Sequence, residues 1–247
     1  MGDNQKVLWL TGGTRGIGRA LAEAFLASGW AVASCWHRDV ASALETSGAF
    51  ASHGTRWRLS RCDMRSPSEV EQWAGELHGV WGAPHCVIHN AGSTRDAALA
   101  HLAEADWDAT MEVHAGGARL LSAAAIPLFL ENGGGQLVFM SSVVATTGNA
   151  GQAAYVSAKA AVVGLMRSLA HEYGPRRVRC NVVMPGFHRT RLAADLTPEA
   201  EKAILSRHLL PETTDLDETA SFFLWLAATR TVSGQVFNLD SRPAGWL

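Results

Sequence analysis

Thr11-Gly-Gly-Thr-Arg-Gly-Ile-Gly18 stands between a short apolar run, Val7 to Leu10, and a stretch carrying Ile17, Leu21, Ala24 and Phe25 at helical spacing. That stretch stops at Ser28-Gly29. Strand, glycine turn, helix is a restrictive order. A missing side chain at Gly12 permits the tight turn, one at Gly16 lets a pyrophosphate approach the backbone, and one at Gly18 lets helix and strand pack closely. The helix start then offers free N–H groups and a partial positive charge to the phosphates. Thr14, Arg15 and Ile17 belong to the same loop and join the candidate cofactor contacts. A glycine-rich turn without a ligand is the alternative.

The second apolar run, Trp30 to Trp36, closes on His37-Arg38-Asp39. In dinucleotide-binding units an acid at this place takes the ribose 2′-OH of NAD, and an arginine meets the 2′-phosphate of NADP. No carboxylate precedes Asp39, whereas His37 and Arg38 stand at the strand end and Arg15 is within reach. NADP(H) is therefore the expected cofactor; two solvated arginines are the other reading.

Further runs follow in the same alternation. Arg56 to Leu59 leads to Cys62-Asp63-Met64, and Ser66-Pro67 opens a helix. Pro84 to His89 leads to Asn90-Ala91-Gly92; Asp106 to Glu131 is a long amphipathic helix; Gln136 to Met140 and Val178 to Met184 are strands. A helix over Asp217 to Ala228 and a strand over Gln235 to Leu239 complete the pattern. The expectation is an α/β fold, a Rossmann-type doubly wound parallel sheet with helices on both faces, as a single domain over residues 1–247. After Pro185-Gly186 the irregular segment Phe187 to Leu210 reads as a substrate lid over the crevice at the strand ends.

A net charge of −2 gives no pull towards nucleic acid or an acidic membrane, and no unbroken apolar run approaches the roughly 20 residues of a span. The polar start, Met1 to Lys6, has no signal-peptide character, and the four cysteines are scattered, as reduced thiols in a cytoplasmic protein are. The ten histidines form no close pair backed by cysteines or carboxylates, so no metal is expected.

Tyr155 and Lys159 lie one helical turn apart, and Ser142 follows the strand before them. A hydroxyl, a phenol and an ammonium converging at one strand end can polarise a carbonyl and protonate it. With Thr11-Gly-x-x-x-Gly-Ile-Gly18, Asn90-Ala-Gly92, Ser142 thirteen residues before Tyr155-x-x-x-Lys159, and Pro185-Gly186, the chain resembles the short-chain dehydrogenase/reductase family from about Lys6 to Asp240. Ala91-Gly-Ser-Thr-Arg-Asp96, Gly148-Asn-Ala-Gly-Gln-Ala-Ala-Tyr155 and Asn181-Val-Val-Met-Pro-Gly-Phe187 are most similar to β-ketoacyl-[acyl-carrier-protein] reductases.

The resemblance implies the following roles. Tyr155 protonates the carbonyl oxygen, its pKa lowered by Lys159 and the nicotinamide; Lys159 also holds the nicotinamide ribose, and Ser142 hydrogen-bonds the substrate oxygen. Asp63, with Met64 beside it, receives the adenine amino group. Asn90, Ala91 and Gly92 line the ribose side; Pro185, Gly186 and Thr190 meet the carboxamide or phosphate. The substrate is a β-ketoacyl thioester on an acyl carrier protein of fatty-acid or polyketide-like biosynthesis. The alternatives are a small-molecule keto substrate of a tailoring dehydrogenase and a non-catalytic NADP-binding subunit.

Two positions depart from the family pattern. His114 stands where the family usually has an asparagine that holds a relay water, so it either takes over that catalytic part, titrating near pH 6–7, or is packed in place. The usual Asp-Gly-Gly after the last strand is Asp240-Ser241-Arg242, which bears on a subunit contact or on the lid. For an acidic carrier protein, Arg176 and Arg177 are the expected docking residues, with His188, Arg189 and Arg191 on the lid in support. A homotetramer or homodimer is expected through the two long helices, with Leu121, Ala125, Val162, Val163 and Met166 as candidate contacts.

Overall fold

The computed structural model describes residues 5–190 and 196–243. Seven parallel strands form one sheet in the order β3-β2-β1-β4-β5-β6-β7. They are β1 (Val7–Thr11), β2 (Ala31–Trp36), β3 (Trp57–Arg61), β4 (Cys86–His89), β5 (Gly135–Met140), β6 (Val178–Met184) and β7 (Val236–Asn238). The central strands are apolar on both faces because helices cover both. Leu8 and Leu10 face one core, Val7 and Trp9 the other; Val138 and Met140 part from Leu137 and Phe139 in the same way.

The helices α1 (Gly16–Ala27) and α9 (Leu216–Ala228) pack over the Leu8 face. On the Trp9 face lie α3 (Pro67–Trp81), α5 (Gly117–Glu131) and α7 (Ala153–Tyr173). Of the remaining helices, α2 (Val40–Ala49) follows β2, α4 (Glu104–Met111) precedes α5, α6 (Val144–Thr147) is a short turn before α7, and α8 (Pro198–Leu205) lies in the segment read as a lid. Ser66 caps α3 by accepting from the Glu69 N–H, with Pro67 at the first turn, as the sequence pattern predicts.

Strand order reverses between β1 and β4, so the loops after these strands diverge and leave a crevice at their C-terminal ends. Every strand ends at this rim. Thr11, His89, Ser141 and Pro185 all stand there.

The long helix expected over Asp106 to Glu131 is interrupted. Between α4 and α5 a five-residue π-helical turn, Glu112–Gly116, inserts an extra residue. The whole run Glu104–Glu131 has the length and apolarity to cross a membrane. Here, however, Ala118, Leu121, Ala125 and Phe129 pack into the core beside the sheet. All four cysteines are buried and free.

The residues expected as oligomer contacts need correction. Leu121, Ala125, Val162, Val163 and Met166 are at most 3% exposed and belong to the core under the sheet. The apolar stripe of each long helix is spent on its own chain, and any self-association must use other surfaces. Leu121→Ala is expected to lower the free energy of unfolding by about 2–5 kcal/mol, measured by urea denaturation; a loss within error would place Leu121 outside the core.

Candidate active site

The crevice between β1 and β4 has a volume of about 730 Å³ and is walled by Gly12, Thr14, Arg15, Gly16, Ile17 and Gly18 on one side. His37, Arg38, Asp63 and Met64 line its far end, and Asn90, Ala91, Gly92 and Thr190 its near one. The glycines are required by space. A Cβ on Gly18 would sit 2.1 Å from the Gly12 carbonyl oxygen, and one on Gly16 would press on Thr190 at 3.0 Å. Gly12 has φ +71° and faces Asn90, whose side chain donates to the carbonyls of Thr11 and Gly12. Helix α1 starts at Gly16 and directs its first N–H groups at the crevice. Its size, its glycine cradle and its helix start fit a dinucleotide.

At the far end, Asp39 caps α2 by accepting from the Ser42 N–H (3.1 Å) and hydroxyl (2.9 Å), and it pairs with Arg15 at 2.8 Å. Asp63 is not a free acceptor. Arg65 grips it through its own N–H and its guanidinium (2.7–3.1 Å), which hold the carboxyl below the ordinary range; His37 stands 3.4 Å away. Desolvation in turn lowers the His37 pKa. Arg65 leaves no mark in the sequence, because it lies past the strand end and looks like an ordinary helix-approach residue.

Ser142, Tyr155 and Lys159 come together after β5. The Ser142 hydroxyl lies close enough to the Tyr155 phenol to favour its ionised form. Lys159 is buried, its Nζ donates to the Met140 carbonyl at 2.8 Å, and it lies 5.5 Å from the centre of the Tyr155 ring. The Ser141 hydroxyl donates to the Lys159 carbonyl (2.8 Å) and fixes α7 against the end of β5. Burial pushes the Lys159 pKa down to about 7. Burial also pushes Tyr155 up to about 12, against the Ser142 hydroxyl and with a further rise from the Asp96 carboxylate. The chain's own groups thus keep the phenol protonated at neutral pH; the lowering implied by the resemblance calls on Lys159 together with the nicotinamide charge.

His114 lies within the π turn, 2% exposed, its ring edge-on to Tyr155 with centroids 5.3 Å apart. Its Nε2 faces both the Ser93 carbonyl (2.8 Å) and the Ser93 N–H (3.3 Å); the shorter contact is to a group that only accepts, and a bare acceptor at Nδ1, which has no partner among the described residues, costs less than a bare donor, so the proton is assigned to Nε2. Desolvation and then the nearby Lys159 charge depress its pKa well below the ordinary value. The expected titration near pH 6–7 is therefore wrong: the ring is neutral there. Gly92 is required beside it, since a Cβ there would lie 2.1 Å from the imidazole.

Other expected residues do not gather here. Pro185 and Gly186 lie outside the crevice wall; Gly186, with φ +94°, turns against Thr214 and Asp240 and sends the chain back so that Thr190 covers Gly16. Arg176 and Arg177 are exposed but precede β6, at the rim opposite Ser142. His188 is buried, donating from Nε2 to the Pro185 carbonyl (2.9 Å), and Arg189 pairs with Glu201 at 2.6 Å. Arg191 is outside the described residues. Arg242 turns back onto Asp240, which also faces the His208 ring at 3.0 Å; the altered tail thus ties down the end of the segment read as a lid.

The sequence model of a family described as "Enoyl-(Acyl carrier protein) reductase" matches residues 12–241. The chain belongs to the short-chain dehydrogenase/reductase family. It is an oxidoreductase. The (3R)-3-hydroxyacyl-CoA dehydrogenase of Mus musculus is 32% identical over 89% of this chain and 88% of its own. The 3-oxoacyl-[acyl-carrier-protein] reductase FabG of Thermotoga maritima is 30% identical over 95% and 96%. A solved structure titled "Pseudomonas aeruginosa RhlG/NADP active-site complex" superposes with a TM-score of 0.87 at 24% identity, over 96% of this chain and 95% of that one, and so shares the fold.

The buried ammonium of this reductase-family site yields a stability test. A lysine with a folded pKa near 7 and an ordinary value of 10.5 binds its proton less tightly when folded. The charged form therefore costs stability below pH 7, and stability is regained as pH rises from about 7 to 10.5. Lys159→Met is expected to be more stable than wild type, relative to its own value at pH 10.5, by a few kcal/mol at pH 6. Urea denaturation across that range measures it, and a pH-independent difference would refute the buried charge.

Proposed function

We propose that the protein reduces a ketone to a secondary alcohol with NADPH, and that the ketone is a β-ketoacyl thioester. The carrying observation is the convergence of Ser142, Tyr155 and Lys159 at the end of β5. The names of the mouse and Thermotoga relatives both refer to 3-hydroxyacyl or 3-oxoacyl thioester chemistry, which supports the substrate class.

In this reading the crevice from Asp63 to Gly92 holds the dinucleotide, with the pyrophosphate on the start of α1. Bound there, the reduced nicotinamide supplies the hydride. Tyr155, protonated at neutral pH, gives its phenolic proton to the carbonyl oxygen as that oxygen gains negative charge. Ser142 donates a hydrogen bond to the same oxygen. Lys159, with a pKa near 7, carries the positive charge that steadies the phenolate left behind and returns a proton to it. Arg15 and Arg38, both exposed at the far end, are the partners for a 2′-phosphate, and Asp39 is already engaged as a helix cap. The segment 187–210, of which 191–195 lie outside the described residues, is read as the lid, with Thr190 on the glycine loop.

A small free ketone is the second reading, favoured by the placement of Arg176 and Arg177 at the rim opposite the site. Turnover of acetoacetyl thioesters of coenzyme A and of acyl carrier protein, a 2-enoyl thioester and simple ketones separates these readings.

Tyr155→Phe is expected to abolish NADPH oxidation on β-ketoacyl thioesters while NADPH affinity stays within about threefold, read by fluorescence titration; retained turnover would sink the mechanism. Arg15→Ala is expected to weaken NADPH about tenfold or more and leave NADH nearly unchanged, the loss of a charge-assisted phosphate contact. An equal loss for both cofactors would remove Arg15 from the phosphate site.

A further inference from the structure

His89 is buried at the end of β4, one residue before the Asn90-Ala91-Gly92 loop. The Thr11 hydroxyl oxygen accepts from the N–H groups of Asn90 (3.0 Å) and Ala91 (2.9 Å). Its own proton is then free to point at His89 Nδ1, 3.2 Å away. With Nδ1 accepting, the ring proton sits on Nε2, which faces the carbonyls of Val113 (3.2 Å) and His114 (3.1 Å). Those two carbonyls belong to the π turn, where the backbone ladder is shifted by the extra residue. One relay of donors and acceptors thus joins the crevice loop, the end of β1 and the turn that carries His114.

We propose that His89 is a positioning residue: its imidazole fastens the π turn to the crevice loop and thereby holds the His114 ring against Tyr155. No other side chain among those described bonds these two carbonyls. The geometry leaves little tolerance, because the His114 ring is wedged between Gly92 and Tyr155, and a Cβ on Gly92 would already collide with it. A neutral imidazole suits the task, since it is donor on one side and acceptor on the other. Burial followed by the Lys159 charge brings the His89 pKa down to about 4, which keeps it neutral. The start of α5 closes over the same ring: a Cβ on Gly117 would lie 3.0 Å from His89 Cε1.

The test rests on the reductase reading for its kinetic half and is independent of it for the other. In the kinetic half, His89→Leu, His114→Ala and the double variant are assayed with NADPH and the acetoacetyl thioester of N-acetylcysteamine. His89→Leu is expected to lower kcat about tenfold or more with NADPH affinity little changed, as a misplaced site does. In the double variant the two losses are expected not to multiply: its kcat falls no further than about threefold below the worse single variant. Losses that multiply would overturn the proposal, since a general weakening of the fold costs the same in either background. Should His89→Leu fail to fold, His89→Gln, which keeps a donor and an acceptor, takes its place in the same cycle. In the other half, imidazole ¹⁵N spectra of the wild type are expected to show neutral Nε2–H rings for His89 and His114, with the His114 resonance displaced in the His89 variant. An undisplaced His114 resonance would overturn the positioning role even if no ketone were turned over, whereas an inactive wild type with the displaced resonance would overturn only the reductase reading.

Discussion

A parallel sheet covered on both faces must end all its strands at one rim, and there the backbone ladder stops while polar groups still need partners. In this protein the rim is where Thr11, His89, Ser141 and Pro185 stand, and almost everything of chemical interest attaches to them. Thr11 collects the N–H groups of the Asn90 loop. Ser141 ties the Tyr155 helix to β5 through the Lys159 carbonyl. The Met140 carbonyl, last of its strand, receives the Lys159 ammonium. The site is thus the way the sheet completes its own hydrogen bonding, with the reversal between β1 and β4 opening room for a ligand.

The electrostatics of that rim work against stability and in favour of chemistry. Burial disfavours the charged form of both groups at the centre: Lys159 falls to about 7 and Tyr155 rises to about 12. At neutral pH the phenol keeps its proton and the ammonium is poised to release one, which is the distribution an acid in ketone reduction needs. The two histidines beside them stay neutral for a related reason, burial next to a cation. They present lone pairs and N–H groups held in fixed directions, not charges.

Much of this was legible in the chain. The glycine loop was, because a missing Cβ at Gly12, Gly16 and Gly18 has few other uses between a strand and a helix, and the crevice walls confirm how little space each has. The succession of alternating strands and helices was, because apolar runs and helical periodicity are local properties. What escaped were facts of the third dimension. Leu121 and Met166 have the look of an exposed apolar stripe on paper, yet the sheet takes that stripe. Arg176 and Arg177 follow the Tyr155 helix in sequence, yet a helix of 21 residues carries them to the far rim. The π turn went unread, since the shift of about 100° that one inserted residue makes in the apolar pattern is no wider than the stripe itself.

By itself the sequence determined the fold class and the crevice, since these follow from periodicity and turn chemistry; the meeting of Ser142 with Tyr155 and Lys159, which stand on different elements, it offered only through its resemblance to the family. The tertiary structure alone decided the protonation of that group, because desolvation depends on what surrounds a side chain and not on its neighbours in sequence. It also decided the parts of His89, Arg65 and Arg242, whose partners come from other loops or from a backward turn of the chain. For His114 the sequence marked the position, and packing between Gly92, Ser93 and Tyr155 settled its tautomer and its charge.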